Sequence, residues 1–199
     1  MADNYQKILQ DNLSRLYTAP PPDLAARLAA HPDGDGLVFS AFGEDCRLSP
    51  LGIQLGGSPI PAVMGIIVSL YALAASLDAA KLEPWRSFKE IPGSMPYWGA
   101  FASHTEQILV PHVAAIKEKA WYICQVFAGA PVVGGDFSFV LHPLPKIALC
   151  YIFYEADDEF PATVNCLFSN NANAFLPVDG LADLCEYSSK KILAIARSG

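Results

Sequence analysis

The sequence predicts an α+β fold in which helices fill the first half, an antiparallel sheet the second, and one helix closes the chain. Three observations carry this. Apolar residues recur at spacings of three and four at Tyr5, Ile8, Leu9, Leu13 and Leu16, and again at Val113, Ile116, Ala120, Ile123, Cys124 and Phe127, the period of a helix with one face inward. Phe137, Phe139 and Leu141 alternate instead, the period of a strand. The run from Lys146 to Tyr154 is apolar at odd and even positions alike, which predicts a strand buried on both faces at the centre of its sheet.

The elements follow in order. Residues 1–19 form the N-terminal helix, and Pro20, Pro21 and Pro22 make a stiff connector. Asp23 caps a short Ala-rich helix that stops at His31 and Pro32, and Asp33, Gly34, Asp35 and Gly36 turn the chain into Leu37 to Phe42. A hairpin through Gly43, Glu44 and Asp45 returns it along Cys46 to Leu48. No charge occurs from Leu48 to Leu77, and the stretch from Ala62 to Leu77 raises the question of a membrane span. Pro59, Pro61, the glycines before them and Asp78 immediately after argue instead for a central helix buried within the fold. Aromatic residues then gather around the turn at Pro92 and Gly93, a helical run passes through His104 to Leu109, and Pro111 starts the next helix. After the glycine-rich turn from Gly129 come the strands, with Ala156, Asp157 and Asp158 folding the second back onto Phe160 to Phe168. Asn170 or Asn171 caps a short helix, and Asp179 caps the last one, whose stripe is Leu181, Leu184, Cys185, Ile192 and Ile195.

A chain of 199 residues with 52% hydrophobic and 17% charged side chains can bury a large core, and one domain over 1–199 accounts for it. A formal net charge of −7 with 13 scattered basic residues excludes a nucleic-acid surface and disfavours anionic membranes. The polar start lacks the basic-then-apolar pattern of a secretory leader, so the expected location is the cytoplasm. Cys46, Cys124, Cys150, Cys166 and Cys185 show no CxxC spacing and sit among apolar neighbours. They read as buried free thiols, not as zinc or iron–sulfur ligands.

The ordered set GIIVSLYALAASL, WRSFKEIPG, GGDFSF, LPKIALCYIFYEADDEFPATVNCLFS and AFLPVDGLADL resembles domain-of-unknown-function family thirty-seven eighty-six over the final three quarters of the chain. The resemblance implies a domain of anaerobic bacteria and archaea, some members of which carry a preceding ferredoxin-like iron–sulfur module. No cysteine precedes Ala19 here, so an electron-transfer role would fall to a separate iron–sulfur protein as partner.

Chemistry-bearing residues fall into three groups. Trp85, Phe88, Tyr97, Trp98 and Phe101, with His104 a turn further on, are expected to line a pocket for a small molecule or a flat apolar cofactor such as a tetrapyrrole. Asp136, Ser138 and His142 share one face of a predicted strand, although neighbours two apart lie about 7 Å from each other, too far for a hydrogen-bonded triad. Asp157, Asp158 and Glu159, with Glu155, crowd carboxylates at a strand end. They read as a solvated turn, or alternatively as a divalent-metal site for a hydrolase or lyase. The leading expectation is a ligand-binding module using Trp85, Phe88, Tyr97, Trp98, His104, Asp136 and His142. Its admitted partners are a small-molecule ligand, a second copy of the chain or an iron–sulfur protein.

Overall fold

The computed structural model describes residues 2–74 and 76–198. Helix α1 (Ala2–Thr18) buries Leu9, Leu13 and Leu16, while Tyr5 and Ile8 of the predicted stripe stay exposed. After the prolines comes α2 (Leu24–Leu28). Asp23 occupies its N-cap position without capping it; the carboxylate accepts a bond from Arg27 Nε at 2.8 Å instead.

The predicted hairpin is the middle of a larger meander. Strands β1 (His31–Asp33), β2 (Gly36–Ala41), β3 (Glu44–Ser49), β4 (Gly52–Leu55) and β5 (Ser58–Pro59) form an antiparallel sheet in chain order. Gly56 and Gly57 both have positive φ, 56° and 79°, the conformation of a two-residue hairpin turn, and they join β4 to β5. Arg47 on β3 clamps the turn before β2 through Asp33 (3.0 Å) and Asp35 (2.6 Å).

Helix α3 (Ala62–Ala74) is the predicted central helix, with Ile67, Val68 and Tyr71 fully buried. It crosses α1 at Gly65, where a Cβ would lie 2.8 Å from Leu9. No helix among the described residues is long and apolar enough to cross a membrane. Helix α3 ends at Ala74, short of the predicted Leu77, which is exposed, and Lys146 Nζ donates to the carbonyls of Ser76 and Asp78 at 2.6 and 3.2 Å just past its end.

The segment after it leads through β6 (Arg86–Ser87) to α4 (Trp98–Phe101), which continues as a π-helical turn over residues 102–107. Helix α5 (Val113–Val126) buries the predicted stripe from Val113 to Phe127, Ala120 only partly. Then come β7 (Ala130–Pro131), β8 (Phe137–Leu144), β9 (Ile147–Tyr154) and β10 (Thr163–Phe168), and α6 (Val178–Arg197) closes the chain. Strand β10 begins after Pro161, which has no N–H to give a ladder. Pro177, not Asp179, stands at the N-cap of α6, and Asp179 accepts from the Gly180 N–H at 2.9 Å within the first turn. Asn171 likewise caps nothing with its side chain; it holds the Lys81 N–H at 2.8 Å and donates to the Ala79 carbonyl at 3.0 Å.

The second sheet is antiparallel in the order β6-β10-β9-β8-β7, so β9 is central as the sequence predicts. Its inner face presents Phe139, Leu141, Leu149, Tyr151, Phe153 and Phe168 to a core shared with all six helices and the first sheet. Phe137, expected inside with them, is half-buried near the sheet end, stacked 4.5 Å from Phe153. All five cysteines are buried free thiols.

Candidate functional site

The outer face of the second sheet has its own chemistry. Antiparallel sheets usually turn a polar face to water, yet β8 and β9 place Val140, Ala148, Cys150 and Ile152 outward, joined by Leu167 and Trp85 in a small cluster apart from the main core. No helical residue takes part in that cluster. Over it opens a cleft of about 790 Å³, within the size range of small-molecule sites. Leu82, Glu83 and Trp85 form one wall and Ala128 to Ala130 with Val132 and Val133 the other; Val140, His142, Cys150 and Ile152 make the floor.

Each wall is fixed. Asn170 holds the first by donating across it: its N–H reaches the Lys81 carbonyl at 2.7 Å and its Nδ2 the Pro84 carbonyl at 3.0 Å. The second lies directly on β8, since a Cβ at Gly129 would stand 2.1 Å from the Val140 carbonyl oxygen. Ser138 donates to the Val132 carbonyl at 2.7 Å and ties the wall further along. Val133 at the rim is fully exposed. Burial pushes the Cys150 thiol up to about 11, so it stays protonated and offers no thiolate at neutral pH. Burial likewise holds the His142 imidazole below its ordinary value of 6.5, keeping it neutral.

The residues read from the sequence as one pocket lie in two places. Trp85 and His142 line this cleft. Tyr97, Phe101 and His104 line a second one of about 230 Å³ between the π-helical turn and α6, beside Thr105, Asp179, Asp183 and Glu186. There His104 Nδ1 meets Glu186 Oε2 at 3.1 Å, and the Thr105 hydroxyl is buried without a partner. Burial, then the neighbouring Glu186 and Asp179 carboxylates, raise Asp183 above the usual carboxylate range. Phe88 lines neither cleft: it is fully buried and stacked 4.2 Å from Phe101. Trp98 packs on Phe101 at 5.8 Å beneath the Lys89 ammonium.

Asp136, Ser138 and His142 do not converge. Asp136 accepts the Glu155 N–H at 2.7 Å, Ser138 is engaged with Val132, and His142 faces the cleft alone. In the acidic turn, Asp157 Oδ1 accepts the N–H groups of Glu159 (2.8 Å) and Phe160 (2.7 Å), bonds that lower its carboxyl below the ordinary range. Asp158 and Glu159 are exposed, and Glu155 pairs with Lys117. No three His, Cys, Asp or Glu side chains among the described residues meet as a metal site.

Residues 20–191 match the family model described as Domain of unknown function (DUF3786). The chain belongs to that family. The match runs from the proline connector to the last turns of α6, so both walls and the floor of the large cleft belong to the DUF3786 domain proper, and α1 precedes it. No curated protein and no solved structure matches the chain.

Sequence reasoning missed the second wall, Ala128 to Val133, and the floor residues Val140, Cys150 and Ile152. A signal for them existed. A strand apolar on both faces needs a cover on each, and the helices of this chain are all committed to one side.

Proposed function

We propose that this DUF3786 domain is a binding module that takes up a mostly apolar small molecule or cofactor in the cleft behind its second sheet. The observation that carries the reading is the apolar outer face of β8 and β9, which no helix covers and which opens on about 790 Å³ between two fixed walls. A sheet face turned to water is commonly polar instead. Trp85 offers a flat surface for an aromatic ring, and His142 adds a neutral polar group that sets orientation within an apolar site. The resemblance to a family of anaerobic bacteria and archaea makes a cofactor of anaerobic metabolism the natural class of ligand.

Titration of the full chain with anilinonaphthalene sulfonate, followed by dye emission, tests this. One saturable site is expected, weakened by about tenfold, or about 1.4 kcal/mol, in both Trp85→Ala and Val133→Asp. Val133 is fully exposed, so its replacement leaves the core alone. Unchanged affinity in both variants would place the dye elsewhere and overturn the reading.

A further inference from the structure

Within this cleft, and resting on its reading as a binding site, one side chain is set apart. His142 leaves the regular ladder of β8 at a bulge, where the register against β9 shifts between Leu141 and Leu144; bulges re-aim side chains and gather beside functional sites. Its backbone is held from two sides. The His142 N–H donates to the Phe127 carbonyl at 3.1 Å, and the Phe42 N–H to the Pro143 carbonyl at 2.7 Å. Burial lowers its pKa, and among the described residues its ring makes no hydrogen bond or ion pair to the protein. His104 and His112 differ, since each meets a charged side chain: Glu186 at 3.1 Å and Arg197 at 2.8 Å. His31 lies on the exposed strand β1.

A neutral imidazole fixed in an apolar cleft without a protein partner is a nitrogen donor in search of an electrophile. A free metal ion does not answer, because such ions take three or four protein ligands and no three His, Cys, Asp or Glu side chains meet as a metal site among the described residues. A metal that brings its own equatorial donors needs one axial nitrogen, and a macrocycle supplying them presents flat apolar faces to walls of this kind. We propose that His142 is the axial ligand of a metal held in a planar tetrapyrrole-type macrocycle seated in this cleft. One coordination bond forms, from a ring nitrogen of neutral His142 to an open axial position, and no electron or proton need move.

Paired titrations of the full chain with iron protoporphyrin IX and metal-free protoporphyrin IX test the assignment, read by the absorption band of the macrocycle and by quenching of tryptophan emission. Expected is tighter binding of the iron form with the spectrum of imidazole-ligated iron. His142→Ala and the near-isosteric His142→Gln should both lose that spectrum and weaken iron-form binding by at least about tenfold, the lower edge of what even an outer-shell partner of a metal costs. Their binding of the metal-free form should stay unchanged, which also shows that they are folded. His104→Ala and His112→Ala should match the parent. Equal affinity for both forms, or an imidazole-ligated spectrum surviving in both His142 variants, overturns the axial role while leaving the cleft reading intact. Binding of neither form overturns it too, and the dye titration above then decides the cleft reading separately.

Discussion

The contact between the second sheet and α6 can be weighed by a double-mutant cycle at Tyr151 and Ser189. Both residues are fully buried, and the tyrosine hydroxyl lies 3.0 Å from Ser189 Oγ. Burial raises the Tyr151 hydroxyl well above its ordinary range, so it stays a neutral donor at any working pH. Removing one partner strands the other in a dry core, at about 1–3 kcal/mol. The two single changes are unequal. In Tyr151→Phe the serine can turn its hydroxyl back to a carbonyl one helical turn earlier, as Ser188 does to Leu184 at 2.7 Å, so the cost falls near about 1 kcal/mol. In Ser189→Ala the tyrosine hydroxyl has only the thiols of Cys166 and Cys185 nearby, weak acceptors at best, and about 2–3 kcal/mol is expected. The double variant strands no group and should lose less than the sum, with a coupling of about 1 kcal/mol or more. Urea unfolding followed by far-ultraviolet circular dichroism measures all four proteins. Additivity within about 0.5 kcal/mol, or a larger cost for Tyr151→Phe than for Ser189→Ala, would refute the reasoning.

Three further expectations rest on local geometry. Gly129→Ala should destabilise by about 3 kcal/mol, the upper end of overpacking, because the obstacle 2.1 Å away is a backbone carbonyl that cannot turn aside; a urea midpoint equal to the parent's would show that the wall does not rest on β8 as described. In the acidic turn, millimolar Mg or Ca should leave the melting temperature unmoved, since Asp157 already spends its oxygen on two N–H groups. The Asp157 carboxyl is lowered in the fold, so its contribution is present above the unfolded pKa and lost as pH falls through the folded one. Replacing it by Ala should remove that acid-side dependence, and an ion-dependent rise that disappears on joint replacement of Asp157 and Asp158 by Asn would restore the metal reading.

How far the fold was legible depends on whether each element declares its own period. Strand β8 does, since Phe139 and Leu141 stand inside where alternation puts them, and β9 declares itself by being apolar at odd and even positions alike, as its central place in the sheet requires. Strands β4 and β5 do not. They are four and two residues long, too short for a period, and their only sign was the Gly56-Gly57 pair inside an uncharged stretch that reads equally as the approach to a helix. Helix ends and caps were misplaced where side-chain partners decide them: the carbonyl of Ser76, expected inside α3, is bound by Lys146 from 70 positions away, and Arg27, four residues on, draws Asp23 off its cap.

The same distinction separates the two halves of the candidate site. Composition and local pattern single out Trp85 and His142 as residues able to bind something, but adjacency across 57 positions is a product of topology. It arises because the central strand β9 lies between β10, which pairs with β6 right after Trp85, and β8, which carries His142. The aromatic group around Trp98 misleads for the opposite reason. Its members are close in sequence, and Phe88, Phe101 and Phe168 pack within 6 Å of one another, so these rings largely satisfy each other. A ring whose neighbours are other rings fills core; a ring at the edge of an uncovered apolar sheet face has half its surface to spare. By that measure Trp85, half-buried over Val140 and Cys150, has a face free to meet a ligand, and it stands in the same cleft as His142, whose ring has no protein hydrogen-bond partner among the described residues.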